Sequence, residues 1–428
     1  MICINCKKNN FKKIADIGNQ VISSVFHEKR GGDKKKYCLD LYKCNACDLV
    51  QLKELAPLND MYGFTYGYRT SLSPVMINHI KKKYFKLLNN KFLKRKTNIL
   101  DIGSNDGTFL NFFPNTKRYN LFGIDPSAEK FKTFYKNGIN IIYDFFSEMK
   151  INEFLNKKNI KNKKFSLITS FAMFYDLKDP NSFCEQINNL LEKNGVWMVE
   201  ISYFPLLLQN LTYDQICHEH VAYYTLSTFT NILKKNNLKV LDFELNEVHG
   251  GSIEITCAKK NSHHKPSTKK IEKIISLEKN IDNYSYKKFN SRIRITKDNL
   301  ISFLKLLKKT KKSIIGYGAS TKANIVLNHC KIDNKLLKYI CDANTEKHNK
   351  YTPGSNIKII SKNEIQKLKP DYILVLIWAI KKEVIKQELK YIKSGGTLVF
   401  HLPKFHFINK ENYQFYLTEK LETLSYNI

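Results

Sequence analysis

The chain has 428 residues, more than an ordinary single domain, and its 43% of hydrophobic residues excludes a disordered protein. The formal net charge is +32, which raises the question of nucleic-acid binding. Most cations are Lys residues scattered over every segment, a pattern typical of a solvated surface. No apolar run reaches the roughly 20 residues of a membrane span, and the start "MICINCKKNN" lacks the apolar core of a secretory signal. We therefore expect a cytoplasmic protein with no membrane and no nucleic-acid partner.

Two Cys-x-x-Cys pairs mark the first predicted domain, residues 1–65. Cys3, Cys6, Cys44 and Cys47 flank short alternating stretches that predict a small β-rich ribbon. In a reducing compartment this spacing favours a tetrahedral Zn²⁺ site over disulfides, and four thiolates leave no open position for catalysis. Four unliganded buried cysteines are the alternative, and Cys38 could replace one member of the set. The sequence thus predicts a structural zinc ribbon.

A strand–helix alternation begins near residue 97 and predicts the second domain, residues 66–258. Buried strands end in "DIG", "GID" and "YDF", and helices are predicted to follow in "GTFLNFF" and "AEKFKTFYKNG". This alternation favours a parallel, doubly wound sheet. Residues 259–310 are Lys-rich and predict a helical linker, and a second strand–helix series over 311–428 predicts another Rossmann-like domain. The expected fold class is α/β, with the zinc ribbon preceding two Rossmann-like sheets.

The stretch "NILDIGSNDGTFL" carries the first nucleotide-binding pattern. Asp101 ends a buried strand, and Gly103 and Gly107 let the following backbone approach a ligand. The spacing departs from the dinucleotide fingerprint, and an acidic strand end suits the ammonium group of S-adenosylmethionine (SAM) better than a phosphate. The next strand ends in Asp125, which can accept the ribose hydroxyls. The predicted SAM-binding set is Asp101, Gly103, Ser104, Asn105, Gly107, Asp125, Asp144 and Phe145. Nicotinamide binding and a purely structural turn are the alternatives.

A second glycine loop, "GYGASTKAN", follows a strand of the last predicted domain. Gly316 and Gly318 form a Gly-x-Gly turn that lacks the third glycine of the dinucleotide fingerprint. Its amides could hold a nucleotide diphosphate, with Ser320 and Lys322 close by. Asn324 completes the predicted substrate-binding set of this loop. A tight turn without a ligand is the alternative.

The stretch "YDQICHEHVAYY", residues 213–224, follows the fifth strand of the SAM domain, at the edge where such sheets bind ligands. His218 and His220 are two residues apart, which on a strand would place both on one side, so a metal site remains open. A pair of surface or core histidines is a second alternative. We favour a general base oriented by a carboxylate, because the ordinary pKa of histidine lies near neutrality.

Together these motifs resemble the three-domain SAM-dependent sugar C-methyltransferases. The resemblance spans the chain and rests on "CINC", "CNAC", "DIGSNDGTFL", "YDQICHEHVAYY", "VHGGSIEI" and "GYGASTKAN" in this order. It implies zinc in the first domain, SAM in the second, and a nucleotide sugar held partly by the last. It also implies that His220 is the catalytic base, supported by Glu219 and Tyr224. We count Tyr68 and His249 as further candidates for the substrate cleft.

Three positions depart from the pattern of that family. The family often has Tyr where this chain has Cys217, His near Tyr175, and a "WN" pair where this chain has "WA" at 378–379. Tyr175 and Cys217 therefore join the predicted substrate-binding set. A subgroup acting on a different keto-sugar or nucleotide is an alternative.

The predicted reaction is C-methylation of a nucleotide-linked keto-sugar. The base would remove a proton from the carbon next to the ketone, and hydrogen bonds would stabilise the enolate. O-methylation of a sugar or small metabolite is one alternative, and an RNA-binding protein or RNA methyltransferase is a more distant one. The predicted cofactors are SAM and structural Zn²⁺, and the expected state is a monomer or homodimer.

Overall fold

The structure is a computed structural model that describes residues 1–32, 35–61, 68–89, 92, 97–114 and 118–420. The predicted boundary between residues 65 and 66, and the last positions of the predicted C-terminal domain, 421–428, lie outside them. Among the described helices, none combines the length and the apolar character that a membrane crossing requires.

The N-terminal region is a small β structure folded around the cysteine pairs. Its elements are β1 (Phe11–Ala15), β2 (Asn19–Val21), β3 (Lys36–Cys38), β4 (Leu41–Cys44), β5 (Val50–Leu52) and the short helix α1 (Leu58–Met61). Strand β4 pairs antiparallel with both β1 and β5, and β2 pairs with β3. The prediction of a small β-rich N-terminal region is confirmed.

The middle region contains a seven-stranded sheet. Its elements are α2 (Pro74–Asn89), β6 (Thr97–Ile102), β7 (Tyr119–Ile124), β8 (Asn140–Ile142), α3 (Glu148–Lys157), β9 (Phe165–Phe171), α4 (Pro180–Leu190), β10 (Leu191–Ser202), α5 (Phe204–Gln209), β11 (Ala222–Tyr223), α6 (Leu226–Lys235), β12 (Leu238–Asn246) and β13 (Ser252–Lys259). The strand order is β12-β13-β10-β9-β6-β7-β8, and β13 runs antiparallel to both of its neighbours. The other pairs are parallel, as predicted. Strand β11 lies outside this sheet and pairs with β5.

The first two predicted helices of this region are wrong. Single 3₁₀ turns, Leu110–Phe112 and Lys132–Phe134, stand where helices were expected after β6 and β7. Pro114 lacks the amide hydrogen that a further turn would need after the first. Around the second turn the aromatic residues have low helix propensity, and Phe131 and Tyr135 are buried in the core instead.

Two helices occupy most of residues 259–310: α7 (Thr268–Glu278) and α8 (Asn283–Lys309). The Asp282 side chain caps α8 by accepting a hydrogen bond from the Ser285 amide at 2.9 Å. Helix α8 lies against the N-terminal sheet, where Asn290 donates to the Ile14 carbonyl at 2.7 Å. These helices therefore contact the ribbon as well as connecting the two large sheets.

The C-terminal region is a second doubly wound sheet. Its elements are β14 (Ile314–Tyr317), α9 (Thr321–His329), β15 (Tyr339–Cys341), β16 (Lys358–Ile360), α10 (Lys362–Leu368), β17 (Tyr372–Val375), α11 (Lys381–Gln387), α12 (Leu389–Lys393), β18 (Thr397–Phe400), β19 (His406–Ile408) and α13 (Tyr413–Thr418). The strand order is β16-β15-β14-β17-β18-β19, and only the β18–β19 pair is antiparallel among these strands. The predicted α/β fold class is confirmed.

The ribbon packs against both large sheets. Leu41 and Val50 belong to the same buried cluster as the apolar strands of the C-terminal sheet. Cys3, Cys44 and Leu49 belong instead to the core that includes the strands of the middle sheet. The ribbon thus lies where the two sheets meet, next to the segment 213–224.

Candidate active site

A cavity of about 250 Å³ lies at the carboxyl ends of β6, β7 and β9. This is the edge at which doubly wound sheets bind ligands. Four carboxylates line it, those of Asp101, Asp125, Asp176 and Glu200. A cavity with several carboxylates favours a cationic ligand. SAM carries a sulfonium and an ammonium group, so the residues present fit this cofactor.

Asp101, near the carboxyl end of β6, lines the cavity. The carboxylate of Asp101 accepts a hydrogen bond from the Thr169 hydroxyl at 2.6 Å, and burial raises the pKa of Asp101 to about 7. Gly103 lines the cavity but Gly107 does not. A Cβ atom at Gly107 would lie 2.6 Å from the Tyr135 ring, so Gly107 permits the close packing of that ring. The described role of Gly107 is therefore packing, and a contact with the ligand stays a prediction.

Asp125 ties together the loops that follow β6 and β7. Its Oδ2 accepts a hydrogen bond from the Asn105 amide at 2.9 Å, and its Oδ1 accepts from the amide and hydroxyl of Ser127, both at 2.6 Å. The Asn105 side chain donates to the Tyr68 carbonyl at 3.2 Å and accepts from the Thr70 amide at 3.0 Å. Tyr68, predicted to bind substrate, is thus held beside the SAM cavity. Both Tyr68 and Ser104 line this cavity.

Phe145 and Asp144 have different environments although they are neighbours. Phe145 lines the cavity, and its predicted place beside the adenine ring stays a prediction. Asp144 does not line it, and its carboxylate instead pairs with Lys150 at 2.5 Å. This ion pair is the described contact of the Asp144 carboxylate, and its role in SAM binding stays a prediction.

The four predicted zinc ligands come together at the ribbon. The Sγ atoms of Cys3, Cys6, Cys44 and Cys47 all lie within 4.8 Å of one another. Two of these pairs are 3.5 Å and 3.6 Å apart, close to the sulfur–sulfur distance of about 3.8 Å in a tetrahedral zinc site with bonds of about 2.3 Å. The donor set therefore fits Zn²⁺. Cys38 does not belong to the group.

Segment 213–224 crosses from the end of β10 to the ribbon. Gln215 accepts a hydrogen bond from the Ser202 hydroxyl and donates one to the His249 carbonyl, both at 2.5 Å. At the other end of the segment, the Val221 carbonyl accepts a hydrogen bond from the Leu52 amide at 3.0 Å. The segment is therefore fixed to three parts of the protein.

The two histidines of this segment have opposite surroundings. His218 uses both ring nitrogens, contacting the Ser23 hydroxyl at 3.3 Å and donating to the Gln20 carbonyl at 3.2 Å. His220 is also buried, but its Nδ1 has no hydrogen-bond partner among the described residues. Burial, together with the charge of Lys322, lowers the pKa of His220 to about 3. His218 is thus a structural residue, whereas His220 is a neutral imidazole with an unused nitrogen.

Tyr175 connects His220 with the SAM cavity. The ring centroids of Tyr175 and His220 are 4.2 Å apart. Met173 and Leu177, on either side of the turn that holds Tyr175, line the cavity, and so does Asp176 within the turn. Tyr175 therefore contacts the proposed base from a turn that lines the cofactor site.

Cys217 and Glu219 are buried beside His220. Burial, and the nearby Glu219 carboxylate, raise the pKa of the Cys217 thiol well above its usual value, so this thiol stays protonated. The Oε2 atom of Glu219 has no hydrogen-bond partner in the described part of the chain. These two groups are available to a polar substrate that enters the cluster.

Tyr224, predicted to support the base, packs in the hydrophobic core. Its side chain is fully buried, with its ring 5.2 Å from Phe174 and 6.3 Å from Phe229. It does not line the cavity, and its hydroxyl has no partner among the described residues. The structure thus places the Tyr224 side chain in the core, directly after β11, with no described contact that supports the predicted role beside His220.

Lys322 brings the C-terminal region to the same cluster. It lies in the first turn of α9 and is half-buried, and it has no carboxylate within 4.0 Å among the described residues. Its charge acts on Asp214, Cys217, His220 and His249, and burial lowers its own pKa. A partly desolvated cation without an ion pair favours an anionic ligand.

Trp378, in the position where the family often has a "WN" pair, closes the cluster from the C-terminal side. Its indole nitrogen donates to Asp214 Oδ2 at 2.8 Å. His249, on the loop between β12 and β13, has a positive φ of 57°. Burial, then the Lys322 charge, holds the pKa of His249 well below its usual value. The predicted residues Lys322 and His249 thus lie together with His220.

The remaining predicted residues of the C-terminal glycine loop have structural contacts. A Cβ atom at Gly318 would lie 2.4 Å from Ile377, and one at Gly316 would lie 3.0 Å from Ile340. The Ser320 hydroxyl caps α9 by accepting from the Ala323 amide. The Asn324 amide donates to the Ser23 carbonyl of the ribbon at 2.7 Å. The described contacts of these four positions are thus packing, capping and interdomain contacts, and their role in binding a ligand stays a prediction.

Sequence reasoning missed a buried ionic network at the edge of the cavity. Glu200, which lines the cavity, accepts hydrogen bonds from His79 at 2.9 Å and from Lys83 at 2.6 Å. Lys83 also pairs with Glu254 of the neighbouring strand. The available signal was the spacing of His79, Lys83 and Lys86 on one face of α2. Only the fold shows which carboxylates they meet.

Three family models match successive parts of this chain. A model described as "Putative zinc binding domain" matches residues 3–62, "Methyltransferase domain" matches 76–242, and "C-methyltransferase C-terminal domain" matches 247–403. The chain is also similar to the C-methyltransferase NovU of Streptomyces niveus, with 24% identity over 415 residues. That alignment covers 96% of this chain and 97% of the relative. The order of the matched models follows the order of ribbon, middle sheet and C-terminal sheet.

Solved structures similar to part of the chain include the plantazolicin methyltransferase BpumL in complex with SAH. It is 16% identical, with a TM-score of 0.33, and the match covers 43% of this chain and 82% of that one. The complex of the same enzyme with a pentazolic desmethylPZN analog and SAH is 14% identical, with a TM-score of 0.32, covering 43% and 83%.

Proposed function

Because this chain belongs to the three-domain SAM-dependent C-methyltransferases, we propose that it methylates a nucleotide-linked keto-sugar at the carbon next to the ketone. We further propose that it acts in the cytoplasm, as a monomer or homodimer. The proposed domains are the zinc ribbon 1–65, the SAM domain 66–258, the helical linker 259–310 and the substrate-binding domain 311–428.

SAM, when bound, supplies an electrophilic methyl group. Asp101 is placed to balance the positive charge of the cofactor, and Asp125 to accept hydrogen bonds from its ribose. Phe145 and Met173 are apolar parts of the cavity wall. Such a wall excludes water from the reacting carbon and fixes the direction of attack, and fixed orientation can lower a barrier by about 7–11 kcal/mol.

His220 is proposed to remove the proton next to the ketone. Its imidazole is neutral in the empty site, since burial and the Lys322 charge lower its pKa to about 3. A base that weak would remove a carbon-bound proton slowly. An anionic substrate beside Lys322 would offset the lysine charge, which is the smaller of the two causes of the lowered pKa, and would raise the basicity of His220. The proposed role of His220 as a base depends on this rise.

Lys322 is proposed to stabilise the negative charge that develops on the ketone oxygen. It acts electrostatically on both His220 and His249, and no described carboxylate lies within 4.0 Å of its ammonium group. A fixed cation in a site that excludes water is worth more than one in solvent. The protonated Cys217 thiol and Glu219 would contact the remaining polar groups of the sugar.

The observation that carries this proposal is the position of His220. Its free Nδ1 lies in a buried cluster, one aromatic ring away from a turn that lines the SAM cavity. Lys322 enters the same cluster from the other lobe. The nearness of an imidazole, a cation and the SAM cavity supports the proposal, because carbon methylation next to a ketone needs a base, charge stabilisation and a methyl donor together.

The test is incubation with SAM carrying a ¹³C methyl group and a panel of nucleotide-linked keto-sugars, followed by mass spectrometry and NMR. We expect a labelled methyl group bonded to a ring carbon. A methyl group on oxygen would show an O-methyltransferase in the same scaffold and refute the proposal. Lys322→Met should lower kcat by about 100-fold without changing SAM affinity, whereas Lys338→Met, at an exposed lysine of the same domain, should leave kcat unchanged.

A further inference from the structure

The zinc ribbon shares a β-sheet with the segment that carries His220. Strand β11 begins two residues after His220 and is the edge strand of the ribbon sheet, whose order is β1-β4-β5-β11. Ala222 pairs with Gln51, and Tyr223 pairs with Val50. Because pairing fixes the register of a strand, the position of β5 determines where His220 lies.

Gln51 joins this strand pair to the zinc site. Its side-chain oxygen accepts a hydrogen bond from the Ile4 amide at 3.0 Å, and its side-chain nitrogen donates to the Ile2 carbonyl at 3.2 Å. Ile2 and Ile4 flank Cys3, the first of the zinc ligands. Gln51 is itself buried. One residue therefore holds the first Cys pair with its side chain and β11 with its backbone.

A second attachment holds the same segment two residues before His220. His218 hydrogen-bonds to Gln20 and Ser23 of the ribbon, and Tyr37 packs edge-on against its ring at 6.0 Å. His220 thus lies between two points at which the segment is fixed to the ribbon. Neither point belongs to the SAM cavity.

We propose that the zinc ribbon positions the catalytic base, and that Gln51 is the positioning residue that couples the first Cys pair to β11. The ribbon is then a working part of the active site as well as a folding unit. Gln51 acts through β11 and does not touch the substrate. The inference rests on the proposed function only in taking His220 as the base.

The experiment follows the exposure of His220 and needs no turnover. The full-length, zinc-loaded protein is treated with diethyl pyrocarbonate, and modification of His220 is followed by peptide mass spectrometry. Zinc content and SAM affinity are measured on the same samples. Trp378 emission gives an independent signal, since its indole bonds to Asp214 of the segment, and Trp378→Phe identifies its contribution beside that of Trp197.

Gln51→Leu removes both side-chain hydrogen bonds and keeps the four cysteines. This variant should keep its zinc content and its SAM affinity. Its His220 should be modified about tenfold faster than that of the wild type, because two buried hydrogen bonds no longer resist local opening. Gln51→Glu retains the acceptor for the Ile4 amide and should be intermediate. The matched control is Asn45→Ala, within the second Cys pair. It removes an exposed hydrogen bond from the Asn45 side chain to Asn10 and should behave as the wild type.

Removal of zinc from the wild type should also speed His220 modification and shift Trp378 emission while SAM still binds. Equal modification rates in Gln51→Leu and wild type would overturn the proposal. The proposal would also be overturned if zinc removal or Gln51→Leu abolished SAM binding at the same time as it exposed His220. The ribbon would then support the whole fold. Neither outcome depends on methyl transfer, so failure of this inference and failure of the proposed function are distinguishable.

Discussion

Removing the ammonium group of Lys83 should destabilise the protein more than any other single lysine change at the helix α2 surface. Lys83 is 2% exposed and lies between Glu200 and Glu254. These two glutamates are directly opposite each other on β10 and β13, and like charges at such positions repel. Lys83→Met would leave the pair without its central cation. Breaking a buried ion pair in this way costs about 3–5 kcal/mol.

Lys86→Met is the matched control. Lys86 pairs with Glu254 at 2.6 Å and with Glu244 at 2.9 Å, but its side chain is 24% exposed. Solvent screens such a pair, so the expected loss is about 1 kcal/mol or less. The free energy of unfolding is measured for both variants by urea denaturation at pH 7 and pH 5, with the wild type alongside.

The pH dependence gives the prediction a sign. Burial opposes the ionisation of Glu200, but the charge of Lys83 and the hydrogen bond from His79 outweigh it and hold the pKa of Glu200 well below its usual value. In the wild type the ionised Glu200 contributes to stability at neutral pH, and this contribution is lost only as the pH falls through the lowered pKa of Glu200. In Lys83→Met we expect burial to raise the pKa of Glu200. Protonation of Glu200 should then restore part of the lost stability between pH 7 and pH 5. Equal losses for Lys83→Met and Lys86→Met, with no such recovery, would refute the reasoning.

Three further predictions concern zinc, SAM and the core. Cys6→Ser should lose the bound zinc measured by mass spectrometry, because three thiolates remain, whereas Cys38→Ser should keep it, since Cys38 lies outside the cluster. SAM affinity, measured by calorimetry, should fall up to tenfold per pH unit below about pH 7, where Asp101 becomes protonated; a flat profile in the wild type, or the same slope in Asp101→Asn, would contradict this. Tyr224→Phe should leave the methyl-transfer rate unchanged, because its hydroxyl contacts no partner among the described residues; a loss of tenfold or more would return Tyr224 to the active site.

The spacing of residues within short segments was enough to predict the cysteine cluster and the carboxylates at the strand ends. The four cysteines occur in two tight pairs, and their thiolates do converge. Asp101 and Asp125 each end a strand of one parallel sheet, and both line the same cavity. Such features follow from chain geometry over a few residues.

Contacts between distant segments could not be predicted in this way. Lys83 and Glu200 are 117 positions apart, and the sequence has many equivalent Lys and Glu residues on exposed surfaces. The hydrogen bond from Asn324 to the ribbon spans 301 positions, so the sequence could not show this contact. The surroundings of Tyr224 were hidden for the same reason, since the pairing of β11 depends on a strand more than 170 residues earlier.

The central claim is that His220 removes a proton next to a ketone. It is tested most directly by deuterium exchange in D₂O, with the keto-sugar that accepts the methyl group and with S-adenosylhomocysteine in place of SAM, so that no methyl group is transferred. We predict that the wild type exchanges the proton on the carbon next to the ketone, and that His220→Ala, which should still bind S-adenosylhomocysteine, does not. Exchange at the wild-type rate in His220→Ala would contradict the account.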